Sequence, residues 1–160
     1  MTRLDKIEIL IRDYLEKAKL MQIATVSKGK PWVASVWYVH DDTLNLYFIS
    51  RKTRRHSLEL KADPNVAGAI TTPHVIGSGE KARGLQFEGT AEECAGRGME
   101  TARELYMKKY AGAEDISLEE LRDPSFIAAF YVVHPSVFVL FDEVNFPKEP
   151  RQELRVGRNG

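Results

Sequence analysis

Thr43-Leu-Asn-Leu-Tyr-Phe-Ile-Ser-Arg-Lys-Thr-Arg-Arg-His56 alternates apolar and polar residues in its first half, then gathers Arg51, Lys52, Arg54, Arg55 and His56 into six positions. Alternation with a period of two describes a strand with one face on a core. The strand therefore ends in a concentrated positive patch, although the 160-residue chain has a formal net charge of zero. Guanidinium groups match phosphate oxygens two bonds at a time, so such a strand end suits a phosphate. A helix opening near His56 would add its free amides. Alternation along the loop cannot turn all four cations to one anion, which makes Arg51 and Lys52 the outer pair. A loop whose charges only keep the protein soluble is the competing reading.

Upstream, Leu4, Ile7, Leu10, Ile11, Tyr14, Leu15 and Ala18 recur at three- and four-residue spacing, which predicts an amphipathic helix over 2–19. Thr2 with Asp5 resembles a capping box. Met21–Ser27 and Pro31–His40 read as strands around a Lys28-Gly29-Lys30 turn, with Asp41-Asp42 as the next turn. Downstream, Ser57–Lys61 reads as a short helix closed by Pro64. Val66–Thr72 reads as a strand buried on both faces, 73–81 as a mobile glycine-rich loop, and Ala82–Cys94 as a long strand with Gly89 at a close approach or bulge. Met99–Tyr110 is helical by spacing, with Glu104 and Lys108 placed for an ion pair and Gly112 at its end. Ser117–Arg122 forms a short helical piece. Pro135 splits the apolar run Phe126–Phe141 into two strand pieces, and a polar tail follows Phe146. About six strands without regular βα alternation indicate a mainly β protein, an antiparallel barrel with peripheral helices.

One domain accommodates this length, which buries roughly 68–70% of the unfolded surface without a metal or disulfide. The single cysteine, Cys94, excludes an intrachain disulfide and a cysteine-based zinc cluster. His40, His74 and His134 stand apart from acidic residues at ligand spacing, so no metal site is expected. Glu92-Glu93 and Glu119-Glu120 read as solvated faces. No apolar run approaches the roughly 18 residues that span a bilayer. Asp5, Glu8, Arg12 and Asp13 interrupt any signal-peptide core, so a cytoplasmic location is expected. Zero net charge counts against a general nucleic-acid coat. Two tryptophans and a tyrosine in Trp32–Tyr38 form either core or a wall for a flat ring.

Pro31-Trp-Val-Ala-Ser-Val-Trp-Tyr-Val39, Leu46-Tyr-Phe-Ile-Ser50, Arg54-Arg-His56 followed by Leu60 and Pro64, and Arg83-Gly-Leu-Gln-Phe-Glu-Gly89 occur in that order. Over roughly residues 20–145 this series resembles the pyridoxamine 5'-phosphate-oxidase-like FMN-binding split-barrel superfamily, and within it the small flavin oxidoreductases. The resemblance implies a six-stranded antiparallel Greek-key split barrel, dimerising around FMN. It implies that Arg55 and His56 hold the FMN phosphate, with Arg54 beside them. Ile49 and Ser50 would then lie along the phosphate and ribityl chain. Ala34, Ser35, Val36 and Trp37 would run along the flavin ring, and Gly84 and Gln86 would lie near the ring or ribityl chain. In the vitamin oxidases an arginine and a lysine occupy the positions of Ala34 and Val39, and a C-terminal tryptophan–arginine segment has no counterpart here. The resemblance thus implies a flavin cofactor with another substrate, and no acid or base residue stands out. A heme- or flavin-holding sensor and a deazaflavin reductase are the alternatives on the same barrel.

Overall fold

Thr2 caps the first helix, α1 (Arg3–Lys17): its hydroxyl accepts from the Asp5 amide while the Asp5 carboxylate accepts from the Thr2 amide. The computed structural model describes residues 1–73, 79 and 81–157. Ile7, Ile11, Tyr14 and Leu15 turn inward from α1, as their spacing requires. β1 (Leu20–Ser27) and β2 (Lys30–His40) then form a hairpin. Its two connecting residues, Lys28 and Gly29, both have positive φ (49° and 73°), the turn whose twist matches antiparallel strands.

β3 (Leu46–Arg51), α2 (Arg55–Ala62), β4 (Asn65–Ile70), β5 (Arg83–Glu93), α3 (Arg97–Lys109), α4 (Leu118–Arg122), β6 (Ala128–Asp142) and β7 (Arg151–Arg155) complete the chain. The strands run β3-β2-β1-β4-β5-β6-β7, all neighbours antiparallel, and a β3–β6 pairing closes the first six into a barrel. The closure is uneven. β2 pairs with β3 only through Tyr38, Val39 and His40, whereas β3 continues along β6 from Leu46 to Arg51. From Lys30 to Trp37, β2 is paired with β1 alone among the described strands. This opening is the split.

Tyr38, Phe48, Phe138, Met21, Ile23, Leu46, Ile70, Leu85 and Leu140 fill the interior with almost no exposure. Each such side chain contributes roughly 1.5–3 kcal/mol of burial. A second cluster lies on the outer face, where Val39, Tyr47, Phe130 and Val132 pack against Ala102, Tyr110 and Leu121 of the α3–α4 region. Polar contacts fix α3 there. Lys109 Nζ donates to the carbonyls of Leu15 and Ala18, satisfying the end of α1. The Tyr110 hydroxyl donates to the carbonyls of Lys19 and Tyr38.

Several expectations are corrected. The barrel has the six expected strands, but the polar tail adds a seventh, β7, on the free half of β6. Pro135 does not break β6. β3 pairs with β6 as far as Val133 and β7 begins at Val137, so the missing proline N–H falls where β6 changes neighbours. Opposite it, the β5–β6 register shifts between Glu88 and Gly89 and leaves Ser136 as the extra residue of a bulge. β4 is buried on one face rather than two, since Val66 and Ile70 point inward while Ala67 is exposed. α3 starts at Arg97, and Glu104 and Lys108 form no ion pair in the structure. Most of the 73–81 loop, with His74, lies outside the described residues.

Gly89 is required by this bulge. A Cβ there would be driven into the His134 carbonyl oxygen and would lie 2.8 Å from Pro135 Cα. Gly89→Ala is therefore expected to cost about 3 kcal/mol through overpacking, a fall of roughly 6–12 °C in Tm by calorimetry. An unchanged Tm would contradict the close approach.

Candidate functional site

β3 ends at Arg51, and a tight turn in which the Arg54 amide donates to the Arg51 carbonyl leads directly into α2. Arg54 is the N-cap residue of α2, in extended conformation, and its side chain does not cap the helix. α1 and α4 are both closed by capping boxes, whereas the first turn of α2 contains no acidic residue. The amides of Arg55, His56 and Ser57 have no acceptor within the helix, so they form the positive end of its dipole.

Burial orders the two side chains that follow. His56 is 8% exposed, its Nε2 lies 2.7 Å from Ser50 Oγ, and its ring packs 6.2 Å from Phe48. Burial, assisted by the Arg54 charge, holds its pKa below the ordinary histidine value of 6.5. Arg55 is half-exposed. Its Nε donates to Glu59 Oε1 at 2.7 Å, and its guanidinium carbon lies 4.3 Å above the Trp32 ring. Its two terminal nitrogens have no acceptor among the described residues. Glu59 is only 7% exposed, and its Oε2 accepts from the buried Thr25 hydroxyl at 2.5 Å. The Thr25 and Arg55 hydrogen bonds hold the Glu59 carboxyl below the usual carboxylate range, so it is ionised at neutral pH.

The expected site residues thus fall into four groups, one of them Ile49 alone. Ser50, Arg54, Arg55 and His56 come together at the split, with Trp32 beneath Arg55. Along β2, Ala34 is half-buried against the core, Val36 is buried, Ser35 is exposed, and Trp37 is half-exposed with its ring 5.0 Å from Tyr110. Ile49 turns away from that group to pack against the α3 cluster. Trp37 also lines a cavity of about 490 Å³ with Leu20, Gln22, Thr71, Thr72 and Pro73. Gly84 and Gln86 stand apart. The cross-strand row Ser35–Gln22–Ala69–Gln86 spans three strand spacings, roughly 14 Å, so one chain does not bring Gln86 to Ser35.

Glu59 and Thr25 are the members that sequence reasoning missed. The Arg55–Glu59 spacing of four residues within a helix was a usable signal; Thr25, thirty residues upstream, left none. Lys52 sits at the edge, its Nζ 3.4 Å from the Pro124 carbonyl. Elsewhere several of the polar residues singled out in the sequence have structural partners. His134 bridges Asn45 and Glu92, Glu120 caps α4, and the buried Cys94 thiol is pushed up to about 12. Among the described residues no three His, Cys, Asp or Glu side chains gather in a metal-binding group.

A six-stranded barrel opened between β2 and β3, with a helix N-terminus set in the opening, is a split barrel. The chain belongs to the pyridoxamine 5'-phosphate oxidase family, whose model matches residues 7–130. It is 26% identical over 107 residues to UPF0306 proteins of Yersinia pestis and Yersinia pseudotuberculosis, covering 66% of this chain and 71% of theirs. It shares its fold with a heme binding protein from Mycobacterium smegmatis (TM-score 0.68, 17% identity, covering 89% of this chain and 57% of that one). An F420 reductase is similar as well (TM-score 0.57, 24% identity, 79% and 94% covered). No helix among the described residues is long and apolar enough to cross a membrane.

The lowered pKa of His56 sets a pH dependence. Its contribution to stability is complete above the ordinary imidazole pKa of 6.5 and is lost as pH falls through the lower folded value. Between pH 7 and pH 5 the wild type is expected to lose more stability in urea than His56→Asn does. Equal losses in the two proteins would contradict a buried, neutral His56.

Proposed function

We propose that the protein binds FMN at the split and acts as an FMN-dependent oxidoreductase, as a homodimer with the cofactor at the interface. The observation that carries this reading is the outward fork of Arg55 beside the uncapped first turn of α2. A phosphate monoester fits what is present. The fork offers bidentate donors, and the amides of Arg55, His56 and Ser57 offer more. Ser50 and His56 supply neutral hydrogen-bonding groups, and Arg54 supplies a second charge. A heme would bring carboxylates and no phosphate to this place, which favours FMN over it.

From that anchor the ribityl chain would pass Ser50 and the backbone of Ile49, whose side chain packs against the α3 cluster, and the ring would lie along Ala34, Ser35, Val36 and Trp37. The cavity beside Trp37 would admit a small redox substrate. Gly84 and Gln86 lie too far along the sheet to join Ser35 in the same chain, so they would reach the cofactor from a second copy. Leu20, Val33, Trp37 and Phe141 leave 39–57% of their surface exposed on the outer face of the barrel, which α3 covers at Val39 and reaches at Trp37 only through Tyr110. A second copy seated on that face would bury them, which supports the dimer.

When bound, FMN supplies the hydride chemistry at its ring. The chain's own residues would bind the phosphate, hold the ring along β2, and exclude water through Trp37 and the second protomer. No side chain is assigned a proton-transfer role. Purified protein, or protein reconstituted with FMN, is expected to be yellow, with one flavin per chain. Arg55→Ala/His56→Ala is expected to weaken FMN binding by about 100-fold or more, since each charge-assisted hydrogen bond contributes about 1.5–3 kcal/mol. Titration with FMN, heme and a deazaflavin in parallel would expose the alternatives. A wild type that binds no FMN at stoichiometric concentration would refute the reading.

A further inference from the structure

We infer that Glu59, held by Thr25, is a positioning residue that aims Arg55 at the phosphate; this rests on the flavin reading above. By charge alone Glu59 is misplaced. It is ionised and nearly buried, one helical turn from the amides that would receive a dianion. A carboxylate there repels the incoming phosphate and loses its own hydration.

Its hydrogen bonds supply the compensating role. Oε2 is occupied by the Thr25 hydroxyl, so the carboxylate cannot rotate freely. Oε1 takes the Arg55 Nε–H, the guanidinium donor nearest the aliphatic stem. Trp32 adds a cation–π contact that restrains the group, with the guanidinium carbon 4.3 Å from its ring centroid. With its Nε–H engaged, the guanidinium is left to donate from its two Nη groups, and the edge they share points away from the rest of the side chain. That edge is the fork that matches two phosphate oxygens. An unsupported arginine must instead give up its rotamer freedom when the ligand arrives. Thr25, Glu59 and Trp32 therefore act on phosphate recognition through Arg55 and need no contact with the ligand.

The test compares dissociation constants for FMN and for riboflavin, which lacks the phosphate, in the full-length protein by flavin fluorescence. In Glu59→Ala, FMN binding is expected to weaken by about tenfold, the loss of roughly one hydrogen bond's contribution, while riboflavin binding stays unchanged. Glu59→Gln keeps an acceptor for Arg55 and is expected to restore most of the affinity. Thr25→Val, which removes the hydroxyl at nearly constant shape, is expected to weaken FMN selectively; it carries the test should Glu59→Ala fail to fold. Tighter FMN binding by both Glu59 variants would show simple charge repulsion and overturn the inference. Parallel loss of FMN and riboflavin binding would show a merely structural role and overturn it too. If the wild type binds riboflavin and FMN equally, the phosphate reading itself falls, a result distinct from either.

Discussion

The early parting of β2 from β3 is the constraint on which the site depends. β3 has two edges. One meets β2 for three residues, and the other is committed to β6 for six. The barrel closes through β6, and β2 from Lys30 to Trp37 keeps one edge free of β3. α2 starts within four residues of the end of β3, so its N-terminus is delivered to that opening without a long loop. The departure point is pinned from outside by the Tyr110 hydroxyl on the Tyr38 carbonyl. Lys109 ties the end of α1 to the same corner.

Charge at the opening is arranged by burial. A chain with no net charge can still present a locally positive opening, because its compensating groups are held in fixed states. His56 is kept neutral and Glu59 is kept ionised. Glu59 spends its charge on Arg55 and Thr25 and faces away from solvent. What faces outward is the free edge of Arg55, the half-turn of α2 amides and the exposed Arg54. The same device appears without a ligand role at Asp142. Burial opposes its ionisation, yet hydrogen bonds from Asn145 and the Arg83 charge hold its pKa low.

Much of the fold was legible in the sequence because its signals are local. The Thr2–Asp5 cap, the two-residue turn at Lys28-Gly29 and the apolar alternation of β3 each involve residues a few positions apart. The failures are non-local. Pro135 reads as a breaker until β6 is seen to change partners around it, and the polar tail gives no hint of β7 until β6 offers it an edge. At the site, the basic cluster and its division between Arg55–His56 and the outer Arg51–Lys52 pair followed from the sequence and the family resemblance. Thr25 and the Trp32 ring that meets Arg55 come from the β1–β2 hairpin, so only the folded barrel brings them together. Gly84 and Gln86 show the converse. Sequence order places them in one motif series with Ser35, and the sheet places them three strands away.

The central claim is that a phosphate is received at the N-terminus of α2, and amide-resolved NMR tests it most directly. Chemical shifts of ¹⁵N-labelled protein should be followed during titration with FMN and, separately, with riboflavin. The amides of Arg55, His56 and Ser57 should shift strongly with FMN and little with riboflavin, while residues of β2 respond to both. FMN binding that leaves those three amides unmoved, or moves them no more than riboflavin does, would contradict an anion site at that helix end.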